Sequence, residues 1–180
     1  MKKILFLWCW IATVLISAGA MAKGTDPLSG SGSPLYAGVG GMVDQPLTGW
    51  DTGNYLGLGG SLFGGYRVDD TWSVQFDIDQ LVYSGGGNTL YNARFLAEAK
   101  YTFLGESLQP YLLAGPGLVF QALSPSSFST VNLTVVLGAG VQFDLGSPYH
   151  LFVEAKDHFV LPQGGIQMDL PITAGIWTNL

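Results

Sequence analysis

The stretch VNLTVVLGAGVQFDL, from Val131 to Leu145, decides the fold. Its odd-numbered residues are all apolar, and its even-numbered residues are polar or glycine except for Val136. Side chains alternate between the two faces of a β-strand, so this pattern predicts one long strand with an apolar face and a polar face. Soluble strands commonly have about 5 or 6 residues, whereas a tilted strand needs about 9 to 11 residues to cross a bilayer. The length therefore favours a membrane-spanning strand.

The first 22 residues have the features of a signal peptide for export. Lys2 and Lys3 precede an apolar run that begins at Ile4 and leads to small residues ending at Ala22. Cleavage there makes Lys23 the first residue of the mature chain. The alternative is an uncleaved membrane anchor, because the segment from Ile4 to Ala22 is almost long enough to span a bilayer. We expect a cleaved signal peptide at 1–22, a flexible segment at 23–33 and an outer-membrane barrel domain at 34–180.

Composition narrows the class of protein. The single cysteine, Cys9, lies inside the predicted signal peptide, so the mature chain has no disulfide and must be held by packing and backbone pairing. One closed domain is the expectation. Removing two of the seven basic residues leaves five against thirteen acids, a net charge of −8. Such a chain has no basic surface for a phosphate backbone, so we expect no nucleic-acid partner.

Eight segments of the mature chain have strand character. They lie at 35–43, 55–68, 72–83, 91–103, 110–120, 131–145, 150–159 and 166–180. Short turns separate them, and no segment keeps a helical period for more than a few residues. An even number of antiparallel strands allows the first to pair with the last and leaves no open edge. The fold class predicted is all-β, an eight-stranded antiparallel up-and-down transmembrane β-barrel.

Two of these segments are harder to interpret. In the third, the alternation slips near Gln80, and Leu81 and Tyr83 then take the apolar positions, which suggests a β-bulge. The fifth segment is apolar on both faces, so its pattern does not show which face is outside.

The charged residues indicate which face lines the barrel interior. Eight of them fall on the polar face, four basic and four acidic: Arg67, Asp77, Asp79, Arg94, Glu98, Lys100, Glu154 and Lys156. Only Asp157 falls on the apolar face. A soluble barrel with an apolar ligand cavity requires the reverse arrangement, with a polar surface dense in charge. Because charge is sparse, we expect these eight side chains to form a network inside a narrow lumen, with the apolar face in lipid.

Aromatic residues flank the three tight turns, as in the interfacial belt of a membrane barrel. The set is Tyr66, Trp72, Tyr101, Phe103, Tyr111, Phe143 and Tyr149.

At residues 59–78, 91–120 and 135–145 the chain resembles the OmpA-like outer-membrane β-barrel family of Gram-negative bacteria. The resemblance implies an eight-stranded barrel with both termini in the periplasm and four outward loops. It also implies short periplasmic turns at VDDT, LGES and GSP. The partners expected from it are outer-membrane lipid and, during biogenesis, periplasmic chaperones and the barrel-insertion machinery. We expect a monomer.

Two similar barrel families act on lipid A, but their residues are not matched here. A deacylase-like site needs a serine two residues from a histidine, whereas Phe152 follows His150 and Val160 follows His158 at that spacing. A palmitoyltransferase-like barrel would begin with an amphipathic helix, which residues 23–33 cannot form. We therefore expect no catalytic residues, although a lipid A-modifying enzyme stays an alternative.

One further set of residues has the composition of a metal or acid–base site. His150, Glu154, Lys156 and His158 share one face of the seventh strand. We interpret them as part of the lumen network, because the mature chain has no cysteine and no clustered carboxylate motif. No metal and no cofactor are expected. The function predicted is a structural or interaction role in the outer membrane with a plugged lumen, and a narrow porin-like channel is the other alternative.

Overall fold

The computed structural model describes residues 33–48, 56–85, 88–105, 107–124, 128–145, 148–162 and 165–180. Its strands are β1 (Leu35–Thr48), β2 (Gly57–Arg67), β3 (Trp72–Gly85), β4 (Asn88–Thr102), β5 (Leu108–Ser124), β6 (Phe128–Asp144), β7 (Tyr149–Leu161) and β8 (Gln167–Asn179). Each strand pairs antiparallel with the next, and β1 pairs with β8, so the sheet closes without a free edge. The predicted eight-stranded antiparallel barrel is confirmed.

The predicted signal peptide and the flexible segment as far as residue 32 lie outside the described residues. In the part of the chain that the structure describes, no helix is long and apolar enough to cross a membrane.

The stretch that begins at Val131 lies in β6, and its two faces separate as predicted. Leu133 and Val135 are exposed on the outside, whereas Asn132 and Thr134 are buried. Val136, the exception to the pattern, is fully buried and packs in a cluster with Tyr111 and Leu113. From Val131 onward the outer face of β6 is therefore apolar, and the inner face accepts both polar and apolar side chains.

The bulge predicted near Gln80 is wrong. The register between β3 and β4 is continuous from Trp72 to Gly85, and Gln80 lies on the outer face. Leu81 and Tyr83 are 1% exposed and point inward, so the alternation of faces is unbroken. Large apolar side chains on the inner face produced the apparent slip. In β5 the inner face also carries large apolar side chains, because Tyr111, Leu113 and Val119 are buried inside, and this makes the segment apolar on both faces.

Exposed aromatic side chains surround one end of the barrel, as the sequence predicts. Trp72 stacks edge-on against Tyr101 with ring centroids 5.0 Å apart, and Tyr101 contacts Phe103 at the same separation. Tyr66, Phe143 and Tyr149 are also exposed. Tyr111 does not belong to this belt, because its side chain is 1% exposed and lies inside the barrel.

Besides the cluster of Tyr111, Leu113 and Val136, the described residues form one apolar cluster toward each end of the interior. We call the end that carries the connections 68–71, 103–107 and 145–148 the turn end, and the opposite end the loop end. Near the turn end, the aromatic cluster consists of Tyr36, Phe63, Phe152 and Trp177. Three of its ring pairs have centroids 5.2, 5.6 and 6.4 Å apart. Toward the loop end, the loop-end cluster consists of Met42, Leu81, Tyr83 and Leu90. Charged side chains fill the space between these clusters.

Candidate functional site

The Arg94 group is the charged cluster nearer the loop end. Arg94 is fully buried on β4, and its Nη2 atom lies 2.9 Å from Asp44 Oδ2 and 2.8 Å from Asp169 Oδ2. The same nitrogen donates to the Tyr83 hydroxyl oxygen at 3.1 Å, and that hydroxyl donates to Asp44. The group joins β4 to β1, β3 and β8, so one guanidinium ties together four strands of the barrel.

The Lys156 group lies closer to the turn end. Lys156 on β7 pairs with Asp77, and its Nζ atom lies 3.2 Å from Glu98 Oε1 and 3.2 Å from Glu154 Oε1. The Tyr111 hydroxyl donates to Glu154 Oε2 at 2.9 Å. One ammonium therefore faces three carboxylates, because the closed barrel brings β3, β4 and β7 together across its interior.

Asp79 links the two groups electrostatically. It is fully buried on β3, stands directly opposite Arg94 of β4 in the strand register, and lies two residues from Asp77, the partner of Lys156, on the same inward face. Ser61 stands directly opposite it on β2 in the strand register. The charged layer is thus continuous from Lys156 to Arg94.

Lys100 has neutral partners. Its Nζ atom is 3.2 Å from Gln142 Oε1 and 3.8 Å from the centre of the Tyr111 ring. A cation above an aromatic face is attracted by the ring quadrupole, more strongly where water is excluded. Lys100 therefore lies at the edge of the Lys156 group, which Tyr111 connects to it.

Arg67 lies apart from the other predicted charges. It is half-buried at the turn end, donates from Nη2 to Asn179 Oδ1 at 2.8 Å, and stands 5.4 Å from the centre of the Trp177 ring. It covers the aromatic cluster on the side of the turn end. The ion pairs of the Arg94 group and the Lys156 group described above do not include it.

Seven of the eight charged residues predicted for the lumen are thus deeply buried there, and Arg67 is at the rim. Sequence reasoning missed four members: Asp44, Tyr83, Tyr111 and Asp169. Asp44 lay one residue beyond the predicted end of the first strand, and its inward parity becomes visible only when β1 is extended to Thr48. Asp169 had the correct parity in the sequence, so counting every acid on the polar faces would have found it.

The interior is more acidic than the sequence predicted. Six acids and three bases are almost completely buried at inward-facing positions of the described strands. The acids are Asp44, Asp77, Asp79, Glu98, Glu154 and Asp169, and the bases are Arg94, Lys100 and Lys156. The expected balance of four and four fails because Asp44 and Asp169 enter and Arg67 leaves. Asp157 has the outward parity predicted for it and is 2% exposed.

The two histidines of the chain lie at different levels of the interior. His150 stacks on Trp177 with ring centroids 3.9 Å apart, and its Nδ1 atom is 3.8 Å from Asp144 Oδ1. His158 is fully buried beyond Lys156 on the same strand. Among the residues described, no three side chains of histidine, cysteine, aspartate or glutamate are arranged to hold a metal ion.

Comparisons with known proteins agree with this architecture. No curated protein matches the sequence. Neisserial surface protein A is similar in structure, with a TM-score of 0.71 at 14% identity over 83% of this chain and 99% of that one. Ail, the attachment invasion locus protein of Yersinia pestis, gives a TM-score of 0.59 at 16% identity over 82% of this chain and 99% of that one. The barrel domain of Pseudomonas aeruginosa OprF gives 0.55 at 16% identity over 83% of this chain and 100% of that one.

The sequence itself matches one family model. Residues 10–158 match the model of the outer membrane protein beta-barrel domain. This match covers most of the chain and includes β1 to β6 and most of β7. The chain belongs to the family of outer membrane protein beta-barrel domains.

Proposed function

We propose that the chain is a structural or interaction protein of the Gram-negative outer membrane, and that its lumen is closed by its own side chains. The observation that carries the proposal is the stacking of three layers inside one narrow barrel. The aromatic cluster, the Lys156 group and the Arg94 group follow one another from the turn end, and Tyr83, which contacts Arg94, belongs to the loop-end cluster. Eight strands enclose an interior just wide enough for such side chains.

A closed lumen follows from the energetics of these layers. A hydrated ion entering from the turn end meets the edge-to-face rings of Phe63 and Phe152, and a narrow apolar constriction excludes water. An ion entering the charged layer must displace Arg94 or Lys156 from carboxylates that are themselves fully buried. Steady conduction is therefore not expected.

The proposed orientation places the turn end in the periplasm and the loop end outside the cell. The short turns, the start of β1 and the end of β8 lie together at the turn end, and the exposed rings of Trp72 and Tyr149 lie there at the level of one membrane interface. Export through a cleaved signal peptide supplies the route. On this basis the mature chain begins at Lys23, which the mass of the purified protein would show directly.

Location and barrel closure are tested together by fractionation and gel migration. We expect the protein in the outer-membrane fraction, and we expect the extracted protein to migrate faster before boiling than after it, because a closed barrel resists detergent. Recovery in the soluble periplasmic fraction, or identical migration before and after boiling, would contradict the proposal.

The lipid A-modifying alternative finds no support at the histidines. Both His150 and His158 are buried inside the barrel, whereas a site acting on lipid must face the bilayer. Mass spectrometry of lipid A from cells with and without the protein decides the matter. An acyl-chain change that disappears in His150→Ala or His158→Ala would establish the enzyme, and an unchanged lipid A profile is the expected result.

A further inference from the structure

A groove of about 480 Å³ lies on the outside of the barrel toward the loop end. It crosses β3, β4, β5 and β6, and the outward side chains of Gln80, Ala93, Phe120 and Val131 line it. In the strand register Gln80 is opposite Ala93, Ala93 opposite Phe120, and Phe120 opposite Val131. These four residues therefore form one cross-strand row, with the small side chain of Ala93 at the floor and Phe120 as a wall.

Gln80 is the unusual member of this row. The outward side chains before it on β3 are Trp72, Val74, Phe76 and Ile78, and Val82 follows it. Ile78 and Val82 are exposed by 42% and 40%, so an exposed carboxamide stands between two exposed apolar side chains. Within the described residues the Gln80 side chain makes no hydrogen bond. Its amide carries two donors and an acceptor, which cannot be satisfied by hydrocarbon.

The depth of Gln80 places it within the membrane rather than at its edge. It lies eight residues beyond Trp72, which at about 3.3 Å per residue and a strand tilt of about 45° is roughly 19 Å further along the barrel axis. The apolar band of such barrels is about 25 Å tall. Gln80 therefore lies in the half of this band nearer the loop end.

We propose that the groove binds one hydroxylated acyl chain of lipid A, and that the hydroxyl group of that chain hydrogen-bonds to Gln80. The inference rests on the orientation proposed above, which puts the groove in the outer leaflet. The groove is continuous with the apolar outer face that meets lipid, so an acyl chain is its natural occupant. A chain that carries a hydroxyl near its head supplies both a donor and an acceptor for Gln80 at this depth, whereas the acyl chains of phosphatidylethanolamine carry no hydroxyl.

The test is native mass spectrometry of the purified full-length barrel in detergent, with hexa-acyl lipid A or phosphatidylethanolamine added. We expect one lipid A per barrel and weaker retention of phosphatidylethanolamine. Gln80→Leu should reduce lipid A retention about fivefold through the lost hydrogen bond. Ala93→Leu, which fills the floor of the groove, should reduce retention by a similar factor.

Matched controls separate the groove from the rest of the outer face. Gln45→Leu changes another exposed glutamine outside the groove, and Ala97→Leu adds the same side chain farther along β4. Both should bind lipid A like the parent. The inference is overturned if Gln80→Leu and Ala93→Leu bind lipid A like the parent, or if phosphatidylethanolamine binds equally well. It is also overturned if the parent is a dimer that Ala93→Leu dissociates, because a second copy of the chain then occupies the groove. A parent protein without a heat-dependent gel shift contradicts the proposed function, whereas a heat-shifted parent that binds no lipid A contradicts only this inference.

Discussion

Arg94 connects four strands of the barrel through its ion pairs and hydrogen bonds. Its guanidinium is fully buried and shares Asp44 and Asp169, so removing it leaves two carboxylates without a cation. Breaking a buried ion pair from one side costs about 3–5 kcal/mol. We expect Arg94→Ala to lower the free energy of unfolding by this amount, measured by denaturant titration in lipid vesicles.

Arg67→Ala is the control for that substitution. Arg67 is half-buried at the turn end, and its charged hydrogen bond to Asn179 contributes about 1–2 kcal/mol. A parent and an Arg94→Ala variant that unfold at the same denaturant concentration would contradict the role assigned to the Arg94 group.

Two glycines on different strands, Gly140 on β6 and Gly41 on β1, should respond to alanine in opposite ways. A Cβ at Gly140 would overlap the Tyr111 ring and lie 2.8 Å from the Val153 carbonyl oxygen, so Tyr111, whose hydroxyl donates to Glu154, must shift. A Cβ at Gly41 has no atom within 4 Å. We expect Gly140→Ala to destabilise the barrel by about 1–3 kcal/mol through overpacking.

Gly41→Ala should be neutral or stabilising by up to about 1 kcal/mol, because alanine loses less backbone freedom than glycine on folding. Equal unfolding free energies for the two variants would show that Gly140 does not make room for Tyr111.

For single residues, the sequence predicts which face of the strand a side chain occupies but not which residues it contacts. The parity of Arg94 and Lys156 shows that both point inward, because alternation along a strand is a local property. Their partners are set by the register of strands far apart in the chain, such as β1 and β4, which no local pattern contains. Glycine placement shows the same limit, since Gly140 makes space for Tyr111, a ring expected outside.

At the scale of one strand, β6 can be tested by changing two adjacent valines. Val136 is fully buried against Tyr111 and Leu113, whereas Val135 is 45% exposed on the lipid side. Val136→Ala removes two methyl groups from a packed interior and should cost about 2 kcal/mol. Val135→Ala exchanges valine–lipid contacts for alanine–lipid contacts and should cost less than about 1 kcal/mol. Denaturant titration in vesicles measures both, and a larger effect at Val135 would mean that the faces of β6 are reversed.

The turn between β2 and β3 contains a pH-dependent element outside the membrane. The backbone N–H groups of Thr71 and Trp72 donate to Asp69 Oδ1 at 2.8 and 2.7 Å, and the Thr71 hydroxyl donates to it at 2.8 Å. These donors favour the carboxylate and lower the pKa of Asp69 below its usual 3.8. The stabilisation is therefore complete above that value and is lost as the pH falls through the lowered pKa.

Carboxyl ¹³C NMR of Asp69 measures this effect. We expect a titration midpoint below 3.8, accompanied by shifts of the Thr71 and Trp72 amide protons. Thr71→Val removes only the hydroxyl donor and should raise the midpoint while leaving it below 3.8. A parent midpoint at or above 3.8 would show that the turn does not hold the carboxylate.

At the scale of the strand, prediction succeeded where the inner face is polar. The pattern of β6 and β8 is clear because Asn132, Thr134, Asp169 and Thr173 contrast with an apolar outer face. In β3 the inner face becomes apolar at Leu81, so the contrast disappears and a bulge is inferred where none exists. The interior of a narrow barrel is filled by apolar as well as polar side chains, and periodicity alone cannot distinguish a buried leucine from one in lipid.

For the whole molecule, strand count and closure were predictable because each strand is long and the turns between them are short. The net charge of the interior was not predictable from the sequence. It depends on Asp44 near the end of β1 and Asp169 on β8, and the sheet must close before their places in the interior are known. Six buried acids against three bases give any leak through the barrel a preference for cations. The aromatic cluster at the turn end and the two ion groups are what keep such a leak closed.

Planar-bilayer recording of the purified barrel tests this closure most directly. The parent protein should show no stepwise conductance at moderate voltage. A Phe63→Ala/Phe152→Ala double variant, which opens the aromatic cluster without touching either ion group, should show at most brief cation-selective events, provided that it retains the heat-dependent gel shift. Steady stepwise conductance from the parent protein would contradict the closed lumen and make the chain a narrow channel.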